Sequence, residues 1–385
     1  MAIDKITTAA ITDGTITSSD LASGTVQNQS AFRNIIINGD MSIAQRGTSF
    51  TGLGNGDSAY TLDRFKWSEE GSMTNEWTVS QSTTVPSGQG FAKSLKVDCT
   101  TADTSIDSGN IQYVEQRVEG QNLQYLKYGT SSAESTTLSF WVRSNKTGTY
   151  TIALINNDGS ERLSSQAYTI SSADTWEKKT LTFTGDTSQA FDNDNASSLS
   201  IQFNLVAGTN KTSGSLQSWG SNTQANRAVG QVNLADSTSN EWYVTGVQLE
   251  TGTSASDFEF LPYDVNSRRC YRYYYRINFG GGLKYVGYGQ VDNDDANMPA
   301  ICNVFPEQMR TAPTALEQSG TAGNYKVREA GTYSCTSVPT FNNASTWNAT
   351  VTFIRSGITS SNGFAQGELL KCGGDGGYLG WSAEL

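Results

Sequence analysis

The sequence predicts an all-β protein: a short N-terminal repeat or anchor segment, a jelly-roll β-sandwich, then a smaller C-terminal β-sandwich. Three observations carry that expectation. Only 16% of the 385 residues are charged, and Ser, Thr, Asn and Gly fill much of the polar remainder, which suits strands and turns better than helices. Apolar residues alternate in short segments separated by turn residues. No long segment repeats its apolar residues at a helical period. The expected divisions are residues 1–33, 34–262 and 263–385.

The first segment places Ile6, Ile11, Ile16, Leu21 and Val26 at a five-residue step, with Thr, Ser, Asp and Gly between them. One apolar residue in five cannot make a core within one chain. Several copies wrapped about a common axis can, so the segment is expected to be an oligomerising stem or an anchor. Next, Ile35 to Ile37 read as a short apolar strand and Asn38-Gly39-Asp40 as a turn. Tyr60 to Trp67 is an aromatic run holding the charged pair Asp63 and Arg64, expected to serve structural hydrogen bonding at a domain edge. Tyr113 to Glu119 reads as a strand with Val114 and Val118 in matched positions. Leu138, Phe140 and Val142 alternate, as do Tyr150, Ile152 and Leu154 beyond the turn at 144–148, so the two segments are expected to pair as a hairpin. Leu181 with Phe183, and Leu199, Ile201, Phe203 and Leu205, supply two more strands.

The stretch from Trp242 to Arg276 links the two sandwiches. It begins as a strand, with Tyr243, Val247 and Leu249 on one face and Val244, Gly246, Gln248 and Glu250 on the other. It then crosses an acidic, aromatic turn. Arg268, Arg269, Arg272 and Arg276 interleave with Tyr271, Tyr273, Tyr274 and Tyr275, which reads as an alternating strand with arginines stacked on tyrosines or facing another subunit. Strand patterns follow at Tyr285 to Val291, Ala300 to Phe305, Tyr325 to Val327, Ala349 to Ile354 and, after a glycine-rich turn at 373–377, Tyr378 to Trp381.

Histidine is absent, which excludes Ser-His-Asp and Cys-His nucleophilic catalysis and histidine metal sites. No carboxylate pair stands out for glycosidase chemistry, so the chain is expected not to be an enzyme. A formal net charge of −11 with scattered Lys and Arg argues against nucleic acid and anionic membrane as partners. No apolar run is long enough to span a bilayer, and the first residues lack a signal-peptide pattern. Cys99, Cys270, Cys302, Cys335 and Cys372 are odd in number and widely spaced, so they are expected to be small core hydrophobes of a chain made in a reducing cytoplasm.

No cofactor is expected, although Asp192-Asn193-Asp194 and Asp292-Asn293-Asp294-Asp295 are oxygen-rich enough to take calcium, without full EF-hand ligand spacing. Trp67, Trp77, Trp219 and Trp347 lie near loop-like stretches and are the candidates for stacking on sugar rings, while Trp141, Trp176 and Trp242 read as strand or core residues.

Asn34 to Arg46 (NIIINGDMSIAQR), Tyr60 to Trp67 (YTLDRFKW), Gln116 to Gly120 (QRVEG), Leu138 to Arg143 (LSFWVR), Val244 to Glu250 (VTGVQLE), Phe258 to Tyr275 (FEFLPYDVNSRRCYRYYY) and the closing Ser382 to Leu385 together resemble a bacteriophage tail-fibre or related virion-fibre protein. The resemblance implies a structural homotrimer on the virion. Residues 1–33 would meet phage tail or capsid proteins, and the β domains would attach to a host cell-surface glycan or protein. Attachment to the capsid as a head fibre or decoration protein, a free-standing glycan-binding module and a glycan-cleaving fibre remain the alternatives. The first sandwich also resembles jelly-roll carbohydrate-binding modules. Met41, Ser42 and Gly246 depart from that pattern, so the resemblance implies the fold and no binding residue.

Overall fold

The computed structural model describes residues 32–54, 56–278, 284–291, 299–328, 332–355, 364–369 and 377–385. Ile6, Ile11, Ile16, Leu21, Val26, Cys372 and the acidic run 292–295 lie outside the described residues.

The first sandwich contains β1 (Ser49–Gly54), β2 (Ala59–Tyr60), β3 (Lys66–Glu70), β4 (Glu76–Ser82), β5 (Ser94–Thr101), β6 (Ile111–Glu119), β7 (Thr136–Ser144), β8 (Gly148–Asn156), β9 (Arg162–Ile170), β10 (Glu177–Phe183), β11 (Ser197–Ala207), β12 (Gly220–Ser221) and β13 (Glu241–Thr251). They form a six-stranded sheet in the order β1-β4-β5-β13-β7-β10 and a seven-stranded sheet in the order β12-β9-β8-β11-β6-β3-β2. Neighbouring strands run antiparallel. Between the sheets lie Trp67, Trp77, Phe140, Tyr150, Phe203, Trp242 and Leu249, among others. Burying each large apolar side chain contributes about 1.5–3 kcal/mol relative to leaving it exposed.

Three local expectations are corrected here. The segments around Phe140 and Ile152 alternate as predicted but do not form a hairpin. β7 pairs with β13 and β10, whereas β8 pairs with β11 and β9, so the turn at 144–148 carries the chain from one sheet to the other. The Tyr150 hydroxyl donates to the Lys146 carbonyl at 2.9 Å and fixes that crossing. Ile35 to Ile37 are not a strand, and the chain bends at Ile36 and Ile37. The backbone of Ile37 both donates to and accepts from the Gln116 side chain, at 2.8 and 2.9 Å, so a glutamine of β6 stands in for a neighbouring strand. In β13 the alternation switches: Trp242 and Val244 enter the core, then Val247 and Leu249 do. A bulge between Thr245 and Gln248, with Gly246 at φ +62°, inserts the extra residue.

The arginine-tyrosine stretch is another correction. Tyr263–Tyr271 is a helix, and only Tyr274–Asn278 continues as strand β14. The helix buries Asn266, Ser267 and Cys270, an i, i+1, i+4 pattern whose polar members hide it from a hydrophobic reading. Asp264 in its first turn and Arg268 and Arg269 in its last complement the helix dipole.

The second sandwich comprises β14, β15 (Lys284–Val291), β16 (Pro299–Val304), β17 (Glu317–Gln318), β18 (Tyr325–Arg328), β19 (Thr332–Ser334), β20 (Thr340–Ala344), β21 (Asn348–Thr352), β22 (Phe364–Leu369) and β23 (Tyr378–Ser382). A three-stranded sheet, β14-β23-β17, and a seven-stranded one, β19-β18-β22-β15-β16-β21-β20, share a core holding Ile301, Phe305, Tyr325, Val351, Phe353 and Trp381. Cys99, Cys270 and Cys335 are buried free thiols, as expected, whereas Cys302 is exposed. No helix among the described residues is long and apolar enough to cross a membrane.

The two sandwiches meet at a polar junction. The turn Thr61–Phe65 holds Arg64 in the left-handed region, φ +70°, an uncommon conformation for a residue with a Cβ, and turns its side chain inward. There its guanidinium pairs with Glu384, and both side chains are 3% exposed or less. Arg46 reaches the same carboxylate at 3.2 Å. Arg64 also donates to the Arg117 carbonyl at 2.5 Å and lies 3.5 Å over the Tyr273 ring. Burial disfavours the Arg64 charge, but Glu384 and the nearby tyrosines hold its pKa above the ordinary value. Beside it, burial pushes the Asp63 carboxyl up to about 6 against two hydrogen bonds from Gln45. The structural role expected of this pair is thus what the structure shows. Replacing Glu384 by Gln leaves Arg64 buried without its counter-charge and is expected to destabilise the protein by about 3–5 kcal/mol. Urea denaturation checks this; a loss below about 1 kcal/mol, the level of exposed pairs, would contradict it.

Candidate functional site: an aromatic cleft on the first sandwich

A cleft of about 370 Å³ opens beside the bulge of β13. Its walls come from β7, β10, β13 and two loops, and the strand register explains its composition. Trp141 on β7 lies opposite Lys178 on β10 and Thr245 on β13, and Ser139 lies opposite Gln248. Because Phe140 and Val142 enter the core, Trp141 between them faces outward, and its half-buried ring lines the cleft.

The loops are tied down from below. The Thr245 hydroxyl donates to the Lys93 carbonyl at 2.7 Å, holding the loop that carries Gln89 and Phe91. Gln248, fully buried, accepts from the Glu259 amide at 2.8 Å and donates to the Ser256 hydroxyl at 3.0 Å. Glu250 accepts from the Ser256 amide at 2.8 Å. The segment 252–262 is thereby folded back over β13, which brings Phe258 and Phe260 against Phe91. The three rings form a triangle with centroids 4.9–5.1 Å apart. Phe260 is 52% exposed although it packs in this cluster. Gly246 permits the arrangement, since a Cβ there would come 2.5 Å from Phe91 Cζ.

The cleft therefore presents two aromatic faces, Trp141 and Phe260, with Ser139, Gln89, Lys178 and Asp257 around them. Asp257 is its one carboxylate among the described residues. Along the same sheet face, Trp176 packs edge-on against Tyr243, and Lys96 and Arg143 both bind Glu241. Burial alone would raise the Glu241 carboxyl, but hydrogen bonds from Lys96, Tyr243 and Arg143 hold it below the ordinary range.

The tryptophans nominated from sequence are dispersed. Trp67 and Trp77 are corrections: both are fully buried, pack against each other at 5.5 Å and sit in the core, so neither can meet a sugar. Each occupies an inward position of its strand, β3 or β4, which proximity to loops did not reveal. Trp219 is half-buried, donating to the Thr184 carbonyl at 2.8 Å and packing on Tyr128. Trp347 is 54% exposed, in the turn between β20 and β21 of the second sandwich, next to the exposed Val304. The residues missed were Trp141 and Phe260; alternation with Phe140 and Val142 is the signal that places Trp141 outward. In Asp192-Asn193-Asp194 the Asp194 side chain accepts from the Ala196 amide at 2.9 Å and caps its own turn. Among the described residues no three of Cys, Asp and Glu group as metal ligands.

No family model and no curated relative matches the chain. Among solved structures, the chain is similar to the enzymatically active domain of bacteriophage CBA120 tailspike protein 4, at 15% identity and a TM-score of 0.31, covering 58% of this chain and 22% of that one. It is similar to a family 11 carbohydrate-binding module from Clostridium thermocellum in complex with a mixed-linked tetrasaccharide, at 10% identity and a TM-score of 0.26, covering 55% and 99%. A family 16 carbohydrate-binding module gives 14% identity and a TM-score of 0.23, covering 44% and 84%. At scores this low, nothing those proteins bind or do is transferred to this chain.

Gly246→Ala forces a Cβ onto Phe91 at a positive φ and is expected to cost about 1–3 kcal/mol. A shift in the urea midpoint at unchanged slope checks it; an unchanged midpoint would show that the bulge is not held by glycine.

Proposed function

We propose that the chain is a non-catalytic subunit of a phage virion fibre, assembled as a homotrimer, and that its first sandwich binds a host-surface glycan in the Trp141–Phe260 cleft. The observation that carries the binding role is the cleft itself: two accessible aromatic faces, Trp141 on β7 and Phe260 on the segment folded over β13, ringed by Ser139, Gln89, Lys178 and Asp257. Sugar rings offer C–H faces to aromatic rings and hydroxyls to such polar groups, and a small number of placed polar groups orients a ligand in an apolar pocket. Among the described residues the cleft holds one carboxylate, Asp257, rather than the pair that glycoside hydrolysis ordinarily needs, which supports binding over cleavage.

The fibre part of the proposal rests on the separated motifs from Asn34 to Leu385 and on the five-residue step from Ile6 to Val26. Three copies would add avidity to weak single sites. Residues 1–33 would hold the copies together or attach them to the particle.

Two measurements test this. The full chain applied to an array of bacterial-surface glycans is expected to bind, and Trp141→Ala or Phe260→Ala to weaken binding by about 2 kcal/mol, roughly thirty-fold, with the melting temperature kept. Unchanged binding in both variants would remove the cleft from the account. Light scattering of the full chain is expected to give three chain masses, and a monomer would remove the trimer.

A further inference from the structure

The junction carries a second cleft, of about 280 Å³, on the opposite sheet of the first sandwich. Phe32, Tyr125, Tyr273, Asn122 and four arginines, Arg64, Arg117, Arg269 and Arg272, line it. Four cations around one opening are unusual in a chain of net charge −11. Three are already matched: Arg64 by Glu384, Arg117 by Glu115 at 2.9 Å and Arg272 by Glu119 at 2.7 Å. Those carboxylates are held in turn, Glu119 by the Tyr273 hydroxyl at 2.6 Å and Glu115 by the Ser68 hydroxyl at 2.9 Å.

Arg269 differs. Among the described residues its one hydrogen bond goes to the Asn34 carbonyl, at 3.2 Å, and no carboxylate lies within ion-pair distance. Burial pushes its guanidinium below the ordinary value, outweighing the nearby Cys270, Tyr273 and Glu259 that act to raise it. Glu259 acts on it from beyond ion-pair distance and already accepts from the Phe32 and Asn34 amides, at 2.7 and 3.0 Å, so the cleft holds one arginine outside any direct ion pair, in a fork suited to a bidentate anion. Tyr125 and Phe32, 50% and 58% exposed, offer ring faces beside it. The volume is at the low end for ligand sites, enough for one ring rather than a chain.

We infer that this cleft binds a single carboxylate-bearing sugar, with Arg269 gripping the carboxylate and Tyr125 and Phe32 flanking the ring. The surroundings favour a monoanion: Arg269 is the lining arginine free of a direct ion pair, while Glu259 acts on it electrostatically and Glu119 and Glu115 lie behind the other arginines, so a phosphate dianion would meet more negative charge than a carboxylate. This site is separate from the Trp141 cleft and does not depend on it.

The test is calorimetric titration of the full chain, at constant ionic strength, with D-glucuronate, D-glucose and inorganic phosphate. Saturable binding of glucuronate, at least ten-fold tighter than glucose or phosphate, is expected. Arg269→Gln should weaken it at least ten-fold, and Trp141→Ala should leave it unchanged. No saturable glucuronate binding, equal binding of phosphate or glucose, or binding indifferent to Arg269→Gln would each overturn the inference. If Arg269→Gln does not fold, the exposed Tyr125→Ala decides: weakened binding supports the site and unchanged binding overturns it. Loss of glucuronate binding in Trp141→Ala would also overturn it, by placing the sugar in the other cleft.

Discussion

The buried pair between Arg64 and Glu384 ties the first sandwich to the end of the second. Taking both charges out of water costs several kcal/mol per ion before their attraction is counted. Two sandwiches can bear that cost only if the pair is completed by other groups, and the junction is built to complete it. Arg46 shares the carboxylate, the Arg117 carbonyl accepts from the guanidinium, and Tyr273 lies under it. Arg310 donates to the Ala383 and Glu384 carbonyls at 2.7 Å, fixing the backbone that carries the glutamate. Ile37, Ile43, Cys270 and Tyr273 close an apolar cluster beside these groups, with Leu385 packed against it. The separated sequence motifs thereby acquire a physical reading: Asn34 to Arg46, Tyr60 to Trp67, Gln116 to Gly120, the helix of 263–271 and Ser382 to Leu385 all contribute to this one junction.

The remaining motifs serve the aromatic cleft. Leu138 to Arg143 supplies Trp141, Val244 to Glu250 supplies the bulge and its anchoring Gln248, and Phe258 to Phe260 closes the wall. Hydrogen bonds join both regions, because the Val247 amide donates to the Gly39 carbonyl at 2.9 Å and the Asn34 side-chain amide donates to the Val247 carbonyl at 3.1 Å. One strand, β13, thus borders the cleft on one side and braces the segment leading to the junction on the other.

Much of the fold was legible in the sequence because it follows from period-two alternation, as in Leu138, Phe140 and Val142 or Leu199 to Leu205. What was not legible depends on single residues that break the period. Gly246 shifts the face of β13 halfway along, so Val244 and Val247 both enter the core. The turn at 144–148 looks like a hairpin turn locally, and only long-range pairing shows that it changes sheets. The helix of 263–271 buries Asn266 and Ser267, residues that no hydrophobic pattern flags. The candidate site was less legible still. Nearness to loops selected Trp67 and Trp77, which the fold turns inward, and passed over Trp141, which a strand turns outward. Phe260 becomes a site residue only through the hydrogen bonds of Gln248, a tertiary fact. That Arg269 alone of the four arginines lacks a direct ion pair among the described residues is equally invisible until its neighbours Arg64, Arg117 and Arg272 are seen paired.

The junction welds the two sandwiches into one cooperative unit. Differential scanning calorimetry of the full chain tests it most directly. A single transition is expected, with calorimetric and van't Hoff enthalpies that agree for the assembled protein. Two resolved transitions, one for each sandwich, would contradict it and reduce the Arg64–Glu384 pair to a contact between independent domains.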